Sequence, residues 1–128
     1  MLSSIGVTMI DKIDITPAEC IKGMQHKNRM LTAKNQEYAE LHEKYCAAKR
    51  DYQVALAQKI TMLKLDGIPV SIINKLAEGD RAVAELGYKM NVADGVVKAC
   101  RESMGTLSSQ IDTYRSVLTW LREEMTRG

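Results

Sequence analysis

Phenylalanine is absent from this chain, tryptophan occurs once and proline twice. Sheet proteins rely on aromatic and β-branched side chains to pack a pleated surface, so an aromatic content of 5% argues against a β-architecture. Scarce proline leaves long stretches free to run as helix, because proline removes a backbone donor and clashes with the preceding turn. Cysteine occurs three times, at Cys20, Cys46 and Cys100, with no C-x-x-C pair. An odd, widely spaced set is not a disulfide framework and fits a reducing, cytoplasmic setting. No run approaches the roughly 18 apolar residues of a membrane span, and the N-terminus lacks the basic start and apolar block of a secretory signal. No membrane partner is expected. A formal net charge of +2 is too small to imply nucleic acid by itself.

What remains is helix-forming material. The 128 residues are 45% hydrophobic and 27% charged, the balance of one folded domain. Methionine is abundant, and with Leu, Ala, Lys, Glu and Gln it loses little side-chain freedom in a helix. Residues 1–15 alternate weakly (Ile5, Val7, Met9, Ile13, Ile15) and read as an N-terminal arm or tail. Met9-Ile10-Asp11-Lys12 reads as an alternative translation start, which makes the residues before Met9 a candidate leader.

Thr16-Pro17-Ala18-Glu19 is a helix start: Thr16 can accept a free backbone N–H, Pro17 suits the first helical position, and Glu19 can reach back in a capping box. The predicted helix runs over 16–65, on the order of 75 Å at 1.5 Å per residue. Its apolar stripe is Met24, Leu31, Tyr38, Tyr45 and Tyr52, with Leu41, Ala48, Ala55 and Met62 three places on. Leu56, Ile60 and Leu63 widen the face near its end. The turn is expected over 66–70, where Gly67 can adopt the left-handed conformation, Ile68 can fold back and Pro69 stops the helix. A short helix follows over 71–78 with Ser71 as its cap, then a long helix over 80–126 with Asp80 able to cap it. Leu76, Val83, Met90, Val97, Met104, Ile111, Leu118 and Met125 recur every seven residues, beside Leu86, Ala93, Cys100, Leu107, Tyr114 and Leu121. A sustained repeat of 3.5 residues means a seam that supercoils against other helices. Gly87, Gly95 and Gly105 inside it read as exposed positions or close-approach points, with a bend as the alternative.

The expected fold is therefore all-α: a long antiparallel, coiled-coil-like helical hairpin with a short helix after the turn. Two helices joined by a tight turn pack along their stripes. Val96, Val117 and Trp120 sit beside the seam and broaden the apolar face beyond what one partner helix covers. A homo-oligomer, most simply a dimer forming a helical bundle, is the expected repair. Its packing or interface residues are Tyr38, Tyr45, Tyr52, Met90, Val97, Met104, Ile111, Leu118 and Trp120.

Candidate chemistry is sparse. His42 and Cys46 stand one helical turn apart, beside Glu43, at a spacing that suits metal ligation. A structural zinc takes four ligands, and His26, Cys20 and Cys100 alone remain to supply the rest. The residues are read as surface and packing positions, with no metal and no cofactor assigned. The tyrosine ladder could stack bases, but its place on the heptad stripe makes it packing. Lys22, Lys27, Arg29 and Lys34, with His26, lie in a stretch without a carboxylate. They are the candidate contacts for a nucleic-acid partner, against the plainer reading of a solvated face. No phosphate loop, Ser/His/Asp set or paired acids can be argued, so no catalytic residue is assigned. The expected role is a non-enzymatic, self-associating structural or adaptor protein, with nucleic-acid binding as the alternative.

Leu65-Asp66-Gly67-Ile68-Pro69-Val70, Leu76-Ala77-Glu78-Gly79-Asp80 and the closing Leu118–Met125, with Trp120-Leu121-Arg122-Glu123-Glu124, resemble small helical proteins encoded by bacterial phages and prophages. The resemblance covers about the C-terminal two-thirds, and its motifs describe a turn and a coiled coil. It implies a phage-derived protein of the bacterial cytoplasm, near replication or recombination, and carries over no catalytic residue. Small secreted helical-hairpin proteins carry a Trp-x-Gly turn, whereas the turn here is Asp66-Gly67-Ile68-Pro69.

Overall fold

The computed structural model describes residues 14–127. Most of the expected N-terminal arm, and the alternative start at Met9, lie outside the described residues. Those described form helices joined by short links, α1 (Pro17–Leu65), α2 (Val70–Gly79) and α3 (Arg81–Arg127), with no strand among them.

Helix α1 begins as its sequence predicts. The Glu19 N–H donates to Thr16 Oγ1 at 3.2 Å and the Thr16 N–H donates to Glu19 Oε2 at 3.1 Å, a reciprocal capping box. It ends in a Schellman closure: the Ile68 N–H donates to the Leu63 carbonyl and the Gly67 N–H to that of Lys64. Gly67 takes the left-handed φ of 78° that this closure requires.

Helix α2 departs from expectation at its start. It opens at Val70, with Pro69 in the cap position and no side-chain cap bond, so Ser71 lies inside the helix rather than before it. Pro69 has φ fixed at −57° and the Ile72 N–H already donates to its carbonyl, so the chain enters helix directly from the turn. Its apolar arc holds Ile72, Ile73, Leu76 and Ala77; Ile73 and Ala77 are buried, while Ile72 and Leu76 are exposed. Leu76 therefore does not belong to the α3 seam. It sits on another helix, separated from α3 by Asp80, whose cap restarts the helical phase.

The described residues pack as two units, one holding those up to Thr32 together with those from Gly105 onward, the other Ala33–Met104. In the second unit α1 and α3 run antiparallel as a helical hairpin. Tyr38 meets Arg101, Tyr52 lies beside Gly87, and Lys59 meets Asp80. Each step forward along α1, of two heptads and then one, is matched by an equal step back toward α3's start. Val83, Val97 and Cys100 are buried here, with Met90 and Met104 half-buried. In the first unit Cys20 of α1 and Leu107, Ile111 and Leu118 of α3 are buried. Met125, the last heptad position, is exposed, as is Met62 of the α1 stripe. Apart from the buried Cys20 and the exposed Met62, the α1 stripe is half-buried, its tyrosines and alanines included. Helix α3 runs unbroken through Gly87, Gly95 and Gly105.

Candidate functional site

A cluster of chemically capable side chains lies in the second unit, on α1 at Tyr38, His42, Tyr45 and Cys46. A helix of 3.6 residues per turn stacks positions three and four apart, which alone brings these groups together. The Tyr38 and His42 rings stack with centroids 5.9 Å apart and an interplanar angle of 11°, and Tyr45 leans on His42 at 6.3 Å. Cys46 Sγ lies 3.6 Å from His42 Nε2. Across the hairpin the Arg101 guanidinium donates to the Tyr38 hydroxyl at 2.9 Å and stands 5.7 Å from its ring centroid. That hydroxyl holds the Arg101 pKa above its ordinary value. His42 and Cys46 are exposed, outside the packed seam.

Cys20 and Cys100 are not available to this pair. Both are buried, and the Cys100 thiol donates to the Lys34 carbonyl at 3.7 Å. Among the described residues no group of three His, Cys, Asp or Glu stands close enough to hold a metal ion.

The basic stretch does not assemble into one face. Lys22 and Arg29, seven residues apart, share an exposed side of α1 with His26. Lys27 lies well round the helix from them and is half-buried, lining an open groove of about 490 Å³ with Ile15, Gln110, Thr113, Tyr114 and Val117. Lys34 pairs with Glu37 at 3.0 Å, and that carboxylate raises its pKa.

The expected packing residues divide by exposure. Val97, Ile111 and Leu118 are buried; Tyr38, Tyr45, Tyr52, Met90 and Met104 are half-buried; Trp120 is 44% exposed. Of the residues expected beside the seam, Val117 is half-buried and Val96 is exposed. In the second unit Tyr88, Val92 and Val96 of α3 are 65%, 49% and 43% exposed. Their spacing of four makes them one stripe on the outside of α3, bordered by Gly95, beside which there is open space within 4 Å.

At the joint between α2 and α3 the Val83 N–H donates to Asp80 Oδ2 at 3.3 Å, and Lys59 pairs with Asp80 Oδ1 at 3.4 Å. The Val83 bond, aided by Lys59 and opposed by partial burial, holds the Asp80 carboxyl below the usual carboxylate range.

Sequence reasoning found His42 and Cys46 from their spacing, and Val96 beside the seam, but missed Arg101 and the rest of the outer stripe, Tyr88 and Val92. The Arg101 contact depends on a register across sixty-three residues that no local pattern encodes. Tyr88, Val92 and Val96 follow a spacing of four that is readable in the sequence, but the stronger heptad beside it dominates. No helix among the described residues is long and apolar enough to cross a membrane. Comparison with protein-family models, curated proteins and solved structures finds no match to this chain.

Proposed function

We propose that this chain is a non-enzymatic helical scaffold or adaptor that works by self-association, two copies pairing their hairpins into a bundle. The observation that carries the reading is the outer stripe of α3 in the second unit. Tyr88, Val92 and Val96 lie outside the seam that faces α1, so the hairpin leaves them in water. Burying the part of each that remains exposed is worth on the order of 1 kcal/mol. Gly95 supports the same reading. A glycine inside a helix costs about 1 kcal/mol relative to alanine, and nothing within the unit approaches it. A bare backbone there offers a second helix close approach.

A phage-derived origin and a place in the bacterial cytoplasm rest on the resemblance of the turn at Leu65–Val70, the Leu76–Asp80 segment and the closing Leu118–Met125. The nucleic-acid reading keeps Lys22 and Arg29 as its best-placed contacts, since Lys27 and Lys34 have other surroundings.

Sedimentation across a concentration series tests the proposal. The wild-type chain is expected to associate at micromolar concentration, and Val92→Glu with Val96→Glu to shift it to monomer with helicity unchanged. A wild-type chain that stays monomeric throughout the series sinks the idea.

A further inference from the structure

We propose that His42 and Cys46 form half of a zinc site, completed by the same pair from a second copy of this chain. Zinc binds thiolate at about 2.3 Å and imidazole nitrogen at about 2.0–2.1 Å with tetrahedral geometry. Those bond lengths, opened to the tetrahedral angle, place the sulfur and nitrogen of two neighbouring ligands about 3.6 Å apart. The separation of Cys46 Sγ and His42 Nε2 is 3.6 Å. The pair thus already has the sulfur-to-nitrogen spacing of one edge of the ligand tetrahedron.

The imidazole is also held in place. Tyr38 lies nearly parallel to it, 5.9 Å between centroids, and is itself tied to Arg101 across the hairpin, while Tyr45 is tilted toward it at 6.3 Å. Such support lowers the ordering cost of binding, because the His42 ring does not have to be fixed by the metal. Both ligands are exposed on α1 and outside the seam, so a cation reaches them without disturbing the core.

Two ligands do not make a structural zinc site. Cys20 and Cys100 are buried elsewhere, and no third ligand stands with the pair among the described residues. A second copy supplies what is missing, one further imidazole and one further thiolate. The result is a Cys₂His₂ set, the donor chemistry and geometry that select zinc over harder divalent ions. Each thiol loses its proton to solvent on binding, and two thiolates neutralise the dication. The second pair requires that two copies associate, through α3 as proposed above or through the metal itself; the geometry of the first pair does not.

Zinc chloride titrated calorimetrically into the reduced full-length chain tests this, with sedimentation in zinc and in chelator alongside and Co²⁺ as an optical probe of thiolate ligation. One zinc per two chains is expected, with a thiolate-to-cobalt absorption band and a larger dimer fraction in zinc than in chelator. Cys46→Ser and His42→Gln, both exposed changes that should keep wild-type helicity, are each expected to abolish stoichiometric binding and the band. Absence of binding, or binding unchanged in Cys46→Ser, overturns the zinc site, and so does one zinc per chain on a monomer. Dimerisation that is equal in zinc, in chelator and in Cys46→Ser overturns this inference while leaving self-association through α3 standing. A zinc-bridged dimer that falls to monomer in chelator supports it and removes the α3 stripe as the driving contact.

Discussion

The ring of Tyr114 on α3 lies directly over Gly23 of α1: a Cβ built on that glycine would meet ring atoms Cε1 and Cζ at 2.5 Å. Tyr52 approaches Gly87 in the opposite sense, from α1 onto α3, where a Cβ would meet Cε1 at 3.0 Å. A tyrosine of one helix thus packs on a bare stretch of the other within each unit. Gly95 and Gly105 have no such neighbour, with open space around their Cβ positions.

Those surroundings separate glycines that look alike in sequence. Alanine in an exposed helix interior gains about 1 kcal/mol over glycine, so Gly105→Ala should raise the unfolding free energy by that order and the urea midpoint with it. Gly95→Ala should do the same in dilute, monomeric protein. Gly23→Ala should lower the midpoint instead, because displacing the half-buried Tyr114 ring forfeits about 1–2 kcal/mol of burial and more than offsets the helical gain. In a Tyr114→Ala background the same Gly23 change should become stabilising, since the obstructing ring is gone. Additive effects of the two substitutions would rule out this account of Gly23.

The features legible in sequence are those written within one turn of the chain. Thr16 to Glu19 and Leu63 to Ile68 carry their hydrogen bonds between neighbours, so residue types at fixed offsets specify them. The seam from Val83 to Leu121 was legible because burial repeats with the heptad. The start of α2 was misread because serine is a good cap, while Pro69 had already set the backbone that makes a cap unnecessary. Gly23 and Arg101 were missed for a different reason. Their roles come from Tyr114 and Tyr38 on the opposite helix, and facing residues depend on register, which a repeating stripe leaves free to slide by a heptad. The His42 and Cys46 pair stood midway: spacing placed both on one side of α1, but their 3.6 Å separation and the stacked tyrosine that orients the imidazole needed coordinates.

Asp80 gives the α2–α3 joint a defined response to pH. Its carboxyl is held below the ordinary range first by the Val83 N–H and then by Lys59. On acidification the unfolded chain therefore takes up this proton before the folded one does. The stability that Asp80 contributes is complete above the ordinary carboxylate pKa and is lost as pH falls through the lower folded value. Asn retains the capping oxygen but not the charge, so Asp80→Asn should have a lower urea midpoint than wild type at neutral pH. That gap should close in acid, where Asp80 itself is protonated. A gap that stays the same from neutral pH into acid would show that the charge is not what matters at this joint.

Charge counting gives the nucleic-acid alternative a sharp limit. Each phosphate contact releases condensed counterions, and the logarithm of the binding constant falls with the logarithm of salt by about 0.9 per contact on duplex DNA. Lys22 and Arg29 share one exposed side of α1, whereas Lys27 lies well round the helix from them and Lys34 is paired with Glu37. Two contacts per chain correspond to a slope of about −2. Any binding to duplex DNA should therefore be weak, shallow in its salt dependence and removed by Lys22→Glu with Arg29→Glu. Fluorescence anisotropy of a labelled duplex across a salt series measures that slope. A value twice as steep per chain, or binding that survives the double charge reversal, would mean that cations outside this stretch hold the phosphates, and the scaffold reading would have to yield to a nucleic-acid-binding one.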